Sequence, residues 1–337
     1  MLKKMIRSLS ERRDLEPAQM REAMEVLMSG SASEAQAASF LMALKMKGET
    51  AEEITQAAIV MREKAVRIKL DYPVIFDSCG TGGDGLETIN ISTAAALIAA
   101  AAGVIVAKHG NRSITSRSGS ADVLKELGVN TEAGADVVKR CIDEAGIGFI
   151  FAPAYHPAMK NIMPVRKELG VRTIFNLLGP AVNPAFHTHH MMGVFSEGLV
   201  DVMINVLKGI GLKRAAVISG EDGMDELSLS GRSVVAELKG GEIKKYVVSA
   251  PDFGIKEASA AEIKGGGPSD NARITKEILE GRQKGALRDV VVLNSGFGLY
   301  IAEKASTPDE GMELARGILD SGAAMKKLQQ LVECSNR

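Results

Sequence analysis

The glycine-rich segment at residues 80–85 is followed by a polar stretch and then by an alanine-rich run, and this order strongly restricts the possible folds. The polar residues 90–93 precede the apolar run 94–102, which stops at Gly103. This pattern predicts a buried helix with an N-terminal cap and a glycine stop. Residues 104–107 are mostly β-branched and predict a strand. A glycine loop, a helix and a strand in succession indicate an α/β protein.

The two loops beside this helix both suit a phosphorylated ligand. Glycines let backbone N–H groups approach an anion, and a helix start adds donors of the same kind. The second loop carries Lys108, Arg112 and Arg117 together with several hydroxyl side chains. Two donor-rich loops that lie one helix apart predict a clamp for a ligand with more than one phosphate.

Familiar nucleotide-binding patterns do not explain these loops. Gly80, Gly82 and Gly85 match the G-x-G-x-x-G fingerprint of dinucleotide-binding folds. However, Leu86–Ile89 separate the third glycine from the helix, and the next strand runs into Lys108 rather than an acidic residue. A P-loop is excluded as well, because no Gly-Lys-Ser/Thr sequence closes the turn.

The composition is that of a soluble protein in a reducing compartment. The 337 residues include 41 basic and 42 acidic side chains and no tryptophan, which argues against general nucleic-acid binding. Cys79, Cys141 and Cys334 show neither metal-ligand spacing nor a disulfide framework. The segment 1–13 lacks the apolar core of a secretory signal, and the run 94–107 is too short to span a bilayer. We expect a cytoplasmic protein without membrane or nucleic-acid partners.

Helices fill the N-terminal part of the predicted fold, and strands alternate with helices after it. Amphipathic patterns predict helices at residues 2–8, 16–28, 33–47 and 51–66. Strands are predicted at residues 74–76, 104–107, 147–151, 191–195, 215–219, 233–238, 244–248 and 290–293. The sequence therefore predicts the α/β class, with a small N-terminal helical domain and a larger α/β domain around a central mixed sheet.

We place the domain boundary near residue 70, just before the first strand signal. The pattern at about 156–185 is again helical, so we expect this segment to complete the helical domain 1–70. The α/β domain would then consist of residues 71–155 and 186–337.

An acidic loop at residues 220–226 follows the predicted strand 215–219 and holds four carboxylates. Neighbouring carboxylates repel one another unless a cation offsets their charge. Asp225 and Glu226 offer the hard oxygen ligands that Mg²⁺ prefers, and Mg²⁺ commonly shares a diphosphate with the protein. The alternative is a solvated acidic turn, but the phosphate clamp in the same chain favours the metal.

Histidines and one arginine are further candidates for function. His187, His189 and His190 have no cysteine nearby in the sequence and no carboxylate at ligand spacing, so we interpret them as a surface or core-edge group rather than a zinc site. His109 and His156 lie beside other polar candidates. Arg166, on a predicted helix, can bind a carboxylate through two hydrogen bonds, although a salt bridge to an acid such as Glu168 is the alternative.

Several longer motifs follow one another along the chain. They are GTGGDG (80–85), NIST (90–93), KHGNRSITSRSGSADVL (108–124), HPAM (156–159), PVRKELG (164–170), TIFNLLGPAVN (173–183), GEDGMDELS (220–228) and the C-terminal Asn294-Ser295. Together, and in collinear order over essentially the whole chain, they resemble the anthranilate phosphoribosyltransferase family. This combination is far more specific than any single glycine pattern.

The resemblance implies both an activity and an architecture. The activity is transfer of the phosphoribosyl group from 5-phosphoribosyl 1-diphosphate to the amine of anthranilate, in tryptophan biosynthesis and with Mg²⁺. The fold is nucleoside phosphorylase/phosphoribosyltransferase-like, with the site in the cleft between two domains and usually with a homodimer.

The resemblance also implies the site residues. Lys108 and His109 are the catalytic candidates. Phosphoribosyl diphosphate would be bound by Gly80, Gly83, Asp84, Thr88, Asn90, Ile91, Ser92, Thr93, Lys108, His109, Gly110, Asn111, Arg112, Ser113, Ile114, Thr115, Ser116 and Ser120. Anthranilate would contact Gly80, Asn111 and Arg166, and Mg²⁺ would be held by Ser92, Asp225 and Glu226.

Two other functions are compatible with this kind of fold. A pyrimidine nucleoside phosphorylase shares the glycine-rich phosphate loop, but it uses inorganic phosphate and should not need the pair Asp225 and Glu226. A non-enzymatic, nucleic-acid-binding paralogue should have lost parts of the clamp and gained basic surface. The intact motifs and the balanced charge disfavour both.

Overall fold

The computed structural model describes residues 2–113 and 117–337, and its N-terminal part is helical as predicted. The first four helices are α1 (Leu2–Ser10), α2 (Pro17–Met28), α3 (Glu34–Lys47) and α4 (Ala51–Glu63). Helix α4 starts with a capping box. The Thr50 hydroxyl accepts the Glu53 N–H at 3.2 Å, and the Glu53 carboxylate accepts the Thr50 N–H at 2.9 Å.

Seven strands form one mixed sheet, which confirms the predicted fold class. They are β1 (Phe76–Ser78), β2 (Val106–Gly110), β3 (Ile147–Phe151), β4 (His189–Gly193), β5 (Arg214–Gly220), β6 (Arg232–Lys239) and β7 (Glu242–Ser249). The order across the sheet is β3-β2-β1-β4-β5-β6-β7. Strands β1 to β5 pair in parallel, whereas β6 and β7 are added by antiparallel pairing. The chain thus builds the sheet outward on one side of β1 and then returns to its other side with β4.

Helices cover both faces of this sheet. The helices after α4 are α5 (Ile91–Ala101), α6 (Ser120–Glu126), α7 (Ala135–Ala145), α8 (Ala152–Tyr155), α9 (Met163–Leu169), α10 (Ile174–Ala181), α11 (Val200–Gly209), α12 (Pro268–Leu279), α13 (Ala286–Ile301), α14 (Pro308–Asp320) and α15 (Ala323–Ser335). Short 3-10 helices lie at Pro157–Asn161, Glu197–Leu199, Ala250–Phe253 and Ala260–Ile263. Across the described ranges, no helix combines the length and the apolar character needed to cross a bilayer.

Alternating side chains of the central strands separate two apolar cores. On β5, Ala216 and Ile218 pack with α5 and the C-terminal helices, whereas Ala215 and Val217 pack with α11 and the N-terminal helices. Val165 of α9 belongs to the second core. The segment 156–185 therefore packs on the N-terminal helices. Because the same core continues onto the sheet, the division into two domains stays a prediction.

One predicted strand was wrong, because residues 290–293 lie inside helix α13. All four side chains are at most 1% exposed. A short β-branched run that is buried on every side has the same apolar signature in a strand and in a helix interior, so periodicity cannot separate the two. The helical spacing is evident from the Asn294 side-chain amide, which donates to the Val290 carbonyl at 2.9 Å.

Candidate active site

The glycine-rich loop leaves the carboxyl end of β1, where the strand order of the sheet reverses. Open α/β sheets bind ligands in the crevice outside such a reversal, beside the carboxyl ends of the strands. The Thr81 N–H donates to the Gly193 carbonyl at 2.9 Å and ties the loop to the end of β4. The topology therefore places the predicted phosphate loop over the crevice between β1 and β4.

The acidic loop after β5 packs directly on the glycine-rich loop. The Gly82 N–H donates to Asp225 Oδ2 at 2.7 Å, and a Cβ atom at Gly80 would overlap the same carboxylate oxygen. A Cβ atom at Gly193 would overlap the Asp225 backbone carbonyl. Only glycine fits at these two positions, and this close packing brings Asp225 to the phosphate loop.

Glu226 of the same acidic loop lies near the start of α5, where the Ser92 backbone N–H acts to lower the pKa of its carboxyl group. An anion is favourable at this position because the first N–H groups of a helix lack acceptors within the helix. The structure thereby brings together the three residues predicted to bind Mg²⁺, namely Ser92, Asp225 and Glu226.

Asp84 adds a third carboxylate to this site. Burial, and then the charge of Asp84, raises the pKa of Asp225 to about 6. Burial, and then Asp225, raises the pKa of Glu226 to about 8. Within residues 2–113 and 117–337, no basic side chain forms an ion pair with any of the three. Crowded oxygen ligands that retain protons fit a hard divalent cation, which would displace those protons.

Strand β2 carries Lys108 into the same region. The residue is 2% exposed, and its ammonium group donates to the Ser78 carbonyl at 2.7 Å. Its charge also opposes the rise in the pKa of Glu226. The Lys108 ammonium is therefore a buried cation held by a neutral acceptor, which leaves its charge available to an anionic ligand.

The second loop is closed by Asp122, a residue that we did not identify from the sequence. Its Oδ2 accepts the Ser113 N–H at 3.1 Å and the Gly119 N–H at 2.9 Å, so both ends of the loop meet at the start of α6. The Asn111 carbonyl accepts the Ala121 N–H at 3.2 Å. The sequence did show an acidic residue in the first turn of a predicted helix. Such residues are common because they stabilise helix N-termini, so this one did not indicate a functional role.

The charged side chains of this loop pair with surface acids. Arg112 forms an ion pair of 2.9 Å with Glu132, and Arg117 lies 3.7 Å from Glu87. Exposed pairs of this kind contribute little stability, so a phosphate can replace the acids. The predicted donor-binding residues Ile114, Thr115 and Ser116 lie outside the described residues. Gly110 and Ser120 are in contact, because a Cβ atom at Gly110 would overlap the Ser120 hydroxyl.

Asn90 links the glycine-rich loop, the second loop and α12. Its side-chain oxygen accepts from Asn271 Nδ2 at 2.8 Å, and its own Nδ2 donates to the Ser118 carbonyl at 3.1 Å. It occupies the cap position of α5 without capping the helix through its side chain. Thr88 pairs with Lys264 in an isolated bridge, which fixes the strand-like end of the glycine-rich loop.

The backbone N–H groups at the start of α5 already have acceptors in this structure. The Ile91 N–H donates to the Ile89 carbonyl at 2.9 Å, and the Thr93 N–H donates to the Asn90 carbonyl at 3.2 Å. Both side chains are buried. The backbone N–H groups of Ile91 and Thr93 can thus bind phosphate only by exchanging these hydrogen bonds, whereas the Thr93 hydroxyl has no hydrogen-bond partner within the described residues.

Arg166 lies on α9 and has no carboxylate partner in the part of the chain that the structure describes. Its guanidinium lies 5.3 Å from the Phe175 ring centroid, and burial lowers its pKa. The salt bridge to Glu168, which we considered from the sequence, is not formed. Within the described ranges, no hydrogen bond joins Arg166 to Gly80 or Asn111, and its Nη1 lies 3.6 Å from the Met163 sulfur. A half-buried guanidinium without an acid is suited to an acidic ligand.

Arg172 is a second residue that the sequence analysis missed. It lies between α9 and α10, and its Nη2 donates to the Gly83 carbonyl at 2.5 Å. Its guanidinium stacks 4.0 Å from the Phe195 ring centroid, just beyond β4. Arg172 thus connects the helical segment to the glycine-rich loop. The one available signal was its position directly before the motif at 173–183.

His109 and His156 are buried neighbours with ring centroids 5.4 Å apart. His109 Nδ1 donates to the Gly179 carbonyl at 3.2 Å. Burial lowers the pKa of His109 well below its usual value and lowers the pKa of His156 to about 4, so both rings are neutral near pH 7. A neutral imidazole whose Nδ1 is a donor presents a lone pair on Nε2, and His109 Nε2 has no protein partner in the described ranges.

The histidines at 187–190 are buried, so of the two placements that we predicted, surface or core edge, the surface placement is wrong. His187 and His189 are 2% exposed and His190 is 0% exposed. The nearby cysteine and carboxylate that the local sequence lacks are supplied by another strand. Because β1 pairs with β4 in the register Asp77 to His190, Asp77 and Cys79 lie beside His190.

Two family models match the chain. The helical bundle domain of the glycosyl transferase family matches residues 3–65, and the a/b domain of the same family matches residues 72–325. Together these matches extend over the N-terminal helices and the sheet.

Full-length relatives carry one activity in their names. The chain is 48% identical over 336 residues to the anthranilate phosphoribosyltransferase of Symbiobacterium thermophilum, and the match covers 100% of this chain and 98% of the relative. The crystal structure of the Thermus thermophilus anthranilate phosphoribosyltransferase matches with a TM-score of 0.94 and 43% identity over 99% of each chain. The Saccharomyces cerevisiae enzyme in complex with PRPP and Mg matches with a TM-score of 0.91 and 27% identity, over 99% of this chain and 98% of that one.

Proposed function

The chain belongs to the anthranilate phosphoribosyltransferase family, and on this basis we propose how its residues carry out the reaction. It transfers the phosphoribosyl group of 5-phosphoribosyl 1-diphosphate to the amine of anthranilate, which gives N-(5-phosphoribosyl)anthranilate and diphosphate in tryptophan biosynthesis. The observation that carries the residue assignment is the packing of the acidic loop on the glycine-rich loop at Asp225 and Gly82.

The donor is bound between the glycine-rich loop and the second loop. Gly80, Gly83 and the N-terminus of α5 provide backbone N–H groups, and these can approach closely because the glycines have no side chains. Asp84, Thr88 and Asn90 lie along the same wall. The residues Lys108 to Ser113 of the second loop, together with Ser120, form the opposite wall. Ile114, Thr115 and Ser116 are proposed to bind the donor on the family resemblance alone.

Mg²⁺ is held by Ser92, Asp225 and Glu226. Bound to these oxygen ligands, it supplies positive charge to the departing diphosphate. The pKa values of about 6 and about 8 mean that the carboxyls partly retain protons near pH 7, and binding of the metal releases those protons.

The protein stabilises charge separation rather than forming a covalent intermediate. As diphosphate leaves the ribose C1, negative charge grows on the leaving group, and Lys108 is fixed in place to offset it. The anthranilate nitrogen attacks C1 and must then lose a proton. Neutral His109 can accept this proton on Nε2, although an aromatic amine is too weak a base to require a strong catalyst for this step.

The acceptor is oriented by Gly80, Asn111 and Arg166. Within the described part of the chain, the guanidinium of Arg166 has no carboxylate partner to release before it binds the carboxylate of anthranilate. Stacking on Phe175 restricts the side chain in advance, which reduces the entropy lost on binding.

Replacement of Arg166 by alanine should weaken anthranilate binding and leave donor binding intact. Charge-assisted hydrogen bonds contribute about 1.5–3 kcal/mol, so the KM for anthranilate should rise about 10- to 100-fold. The matched control is Lys167→Ala, which removes an exposed cation at the next position. An unchanged KM for anthranilate combined with a raised KM for phosphoribosyl diphosphate would contradict the assignment.

The activity is tested most directly by following anthranilate fluorescence with purified protein. Fluorescence should decrease only when phosphoribosyl diphosphate and Mg²⁺ are both present, and omission of either should stop the decrease. Phosphorolysis of uridine or thymidine with inorganic phosphate tests the alternative activity. Phosphorolysis without anthranilate consumption would overturn the proposed function.

We also propose a homodimer and a cytoplasmic location. Met46 on α3, Met163 on α9 and Val171 are exposed by 69%, 44% and 44% and supply apolar surface for a contact between two chains. Light scattering should therefore give twice the chain mass of 35.7 kDa. The cytoplasmic location is supported by three cysteines that are all free thiols.

A further inference from the structure

Three side chains that can bind a metal meet beneath the start of the glycine-rich loop. Asp77 and Cys79 come from β1 and its end, and His190 comes from the adjacent strand β4. The Cys79 Sγ lies 3.7 Å from Asp77 Oδ2 and 3.9 Å from His190 Nε2, and the three ligand atoms all lie within 4.8 Å of one another. These separations are close to those between neighbouring ligands of a tetrahedral zinc ion, which binds at about 2.0–2.3 Å from each.

Surrounding groups hold these ligands in place. Asp77 Oδ2 accepts from Asn183 Nδ2 at 2.8 Å, and Asp77 Oδ1 accepts the His109 N–H at 3.2 Å. His190 Nδ1 lies 2.6 Å from His187 Nε2. His190 Nε2 also lies 3.3 Å from the Cys79 carbonyl, to which it donates when the His187 Nε2–H is the donor to His190 Nδ1. In the other tautomer the His190 Nδ1–H donates to His187, and the Nε2 lone pair is then available to a metal beside the thiol. Metal-binding histidines and carboxylates are typically fixed by such outer hydrogen bonds.

We propose that Asp77, Cys79 and His190 form a binding site for a borderline-soft divalent ion of the Zn²⁺ type, separate from the Mg²⁺ site. The ligand types support this distinction, because thiolate and imidazole select such ions whereas Mg²⁺ prefers oxygen. Binding would replace the Cys79 S–H bond with a metal–sulfur bond and release one proton to solvent. A water molecule can complete the coordination on the side of Cys79, the least buried of the three residues.

The local charges permit a bound cation. Asp77 and a Cys79 thiolate together offset both charges of a divalent ion. Lys108 is the nearby basic residue, and its ammonium group is directed to the Ser78 carbonyl at 2.7 Å. With the divalent ion, the Asp77 carboxylate, the Cys79 thiolate and the Lys108 ammonium, the site carries a net charge of one positive unit. A buried site can hold this charge only if its ligands are well ordered. The outer hydrogen bonds provide that order.

Titration of the metal-free, full-length protein with Co²⁺ tests the proposal. Mg²⁺ is kept in excess so that oxygen sites are filled. Wild-type protein should show a cobalt–thiolate charge-transfer absorption that saturates at one equivalent and disappears when Zn²⁺ is added. The Cys79→Ser variant should lose this absorption, and its Zn²⁺ affinity by equilibrium dialysis should fall more than about 100-fold.

The two other cysteines provide matched controls. Cys141→Ser and Cys334→Ser remove buried thiols elsewhere and should keep the absorption of the wild type. His190→Gln should weaken Zn²⁺ binding without changing the number of thiols. Absence of the absorption in the wild type, or its persistence in Cys79→Ser, overturns the proposal. Because no readout depends on turnover, the outcome is independent of the proposed transferase activity.

Discussion

The double variant Asp225→Asn, Glu226→Gln is expected to lose Mg²⁺-dependent turnover by at least about 10²-fold. Metal ions supply several kcal/mol of charge stabilisation in the transition state, and about 1.4 kcal/mol corresponds to a factor of ten. The amide side chains keep the volume of the originals and keep an oxygen that can accept the Gly82 N–H. The change therefore removes the metal-binding charge without disturbing the packing of the two loops.

The stability of this double variant separates loss of the metal site from loss of the fold. Burial raises the pKa of Asp225 to about 6 and that of Glu226 to about 8, above the usual values of 3.8 and 4.5. Without metal, the folded state thus holds protons that the unfolded state has lost, and stability falls as the pH rises toward 8. The neutral amides avoid this loss. The variant should melt at the same or a higher temperature than the wild type at pH 8 in Mg²⁺-free buffer.

Glu221→Gln is the matched control for the double variant. Glu221 belongs to the same acidic loop but is exposed, and it accepts no hydrogen bond through its side chain within the described ranges. Its turnover should remain within about twofold of the wild type. Retention of full Mg²⁺-dependent activity by the double variant would refute the metal assignment, and equal losses in both variants would point to the loop as a whole.

The acidic loop illustrates how much of a site the sequence can predict. The cluster of carboxylates after a strand was visible in the sequence, and the structure brings this acidic loop into contact with the glycine-rich loop. Its role as a metal site stays a prediction. The separate roles of the four carboxylates depend on tertiary contacts, which the sequence does not show. The Asp222 carboxylate accepts a hydrogen bond from the Ser228 hydroxyl at 2.7 Å and so stabilises the acidic loop itself. The Asp225 carboxylate instead accepts the Gly82 N–H of the glycine-rich loop. Four acids within six positions have the same local signature, and only the packing of β4 and β5 distinguishes them.

Local signals were predicted well, whereas contacts between residues far apart in the sequence were missed. The strand at 147–151 was predicted with its observed bounds, because a β-branched and aromatic run between a helix and a proline is a local signal. The neighbours Cys79 and His190 are separated by 111 positions, and only the pairing of β1 with β4 brings them together. The contact of Arg172 with Gly83 spans 89 positions. Neither contact leaves a periodicity that a single sequence can show.

Lys108→Gln is expected to lower kcat about 10²- to 10³-fold, which is the usual effect of removing one preorganised group that stabilises developing charge. Glutamine is neutral and one bond shorter, so it removes the charge while filling most of the buried position with a side chain that can still donate hydrogen bonds. The KM for anthranilate should change little. Lys264→Gln is the control, since this lysine is exposed and pairs with Glu87 at 3.2 Å.

The Mg²⁺ dependence of the Lys108 variant decides between two modes of action. Lys108 opposes the rise in the pKa of Glu226, so its removal raises that pKa further and weakens Mg²⁺ binding near pH 7. An indirect role of this kind would be corrected by excess Mg²⁺ at higher pH, where Glu226 is ionised. If Lys108 acts on the diphosphate itself, kcat stays low at saturating Mg²⁺ and pH 8.5. Recovery of wild-type kcat under those conditions would show that Lys108 only positions the charge of Glu226.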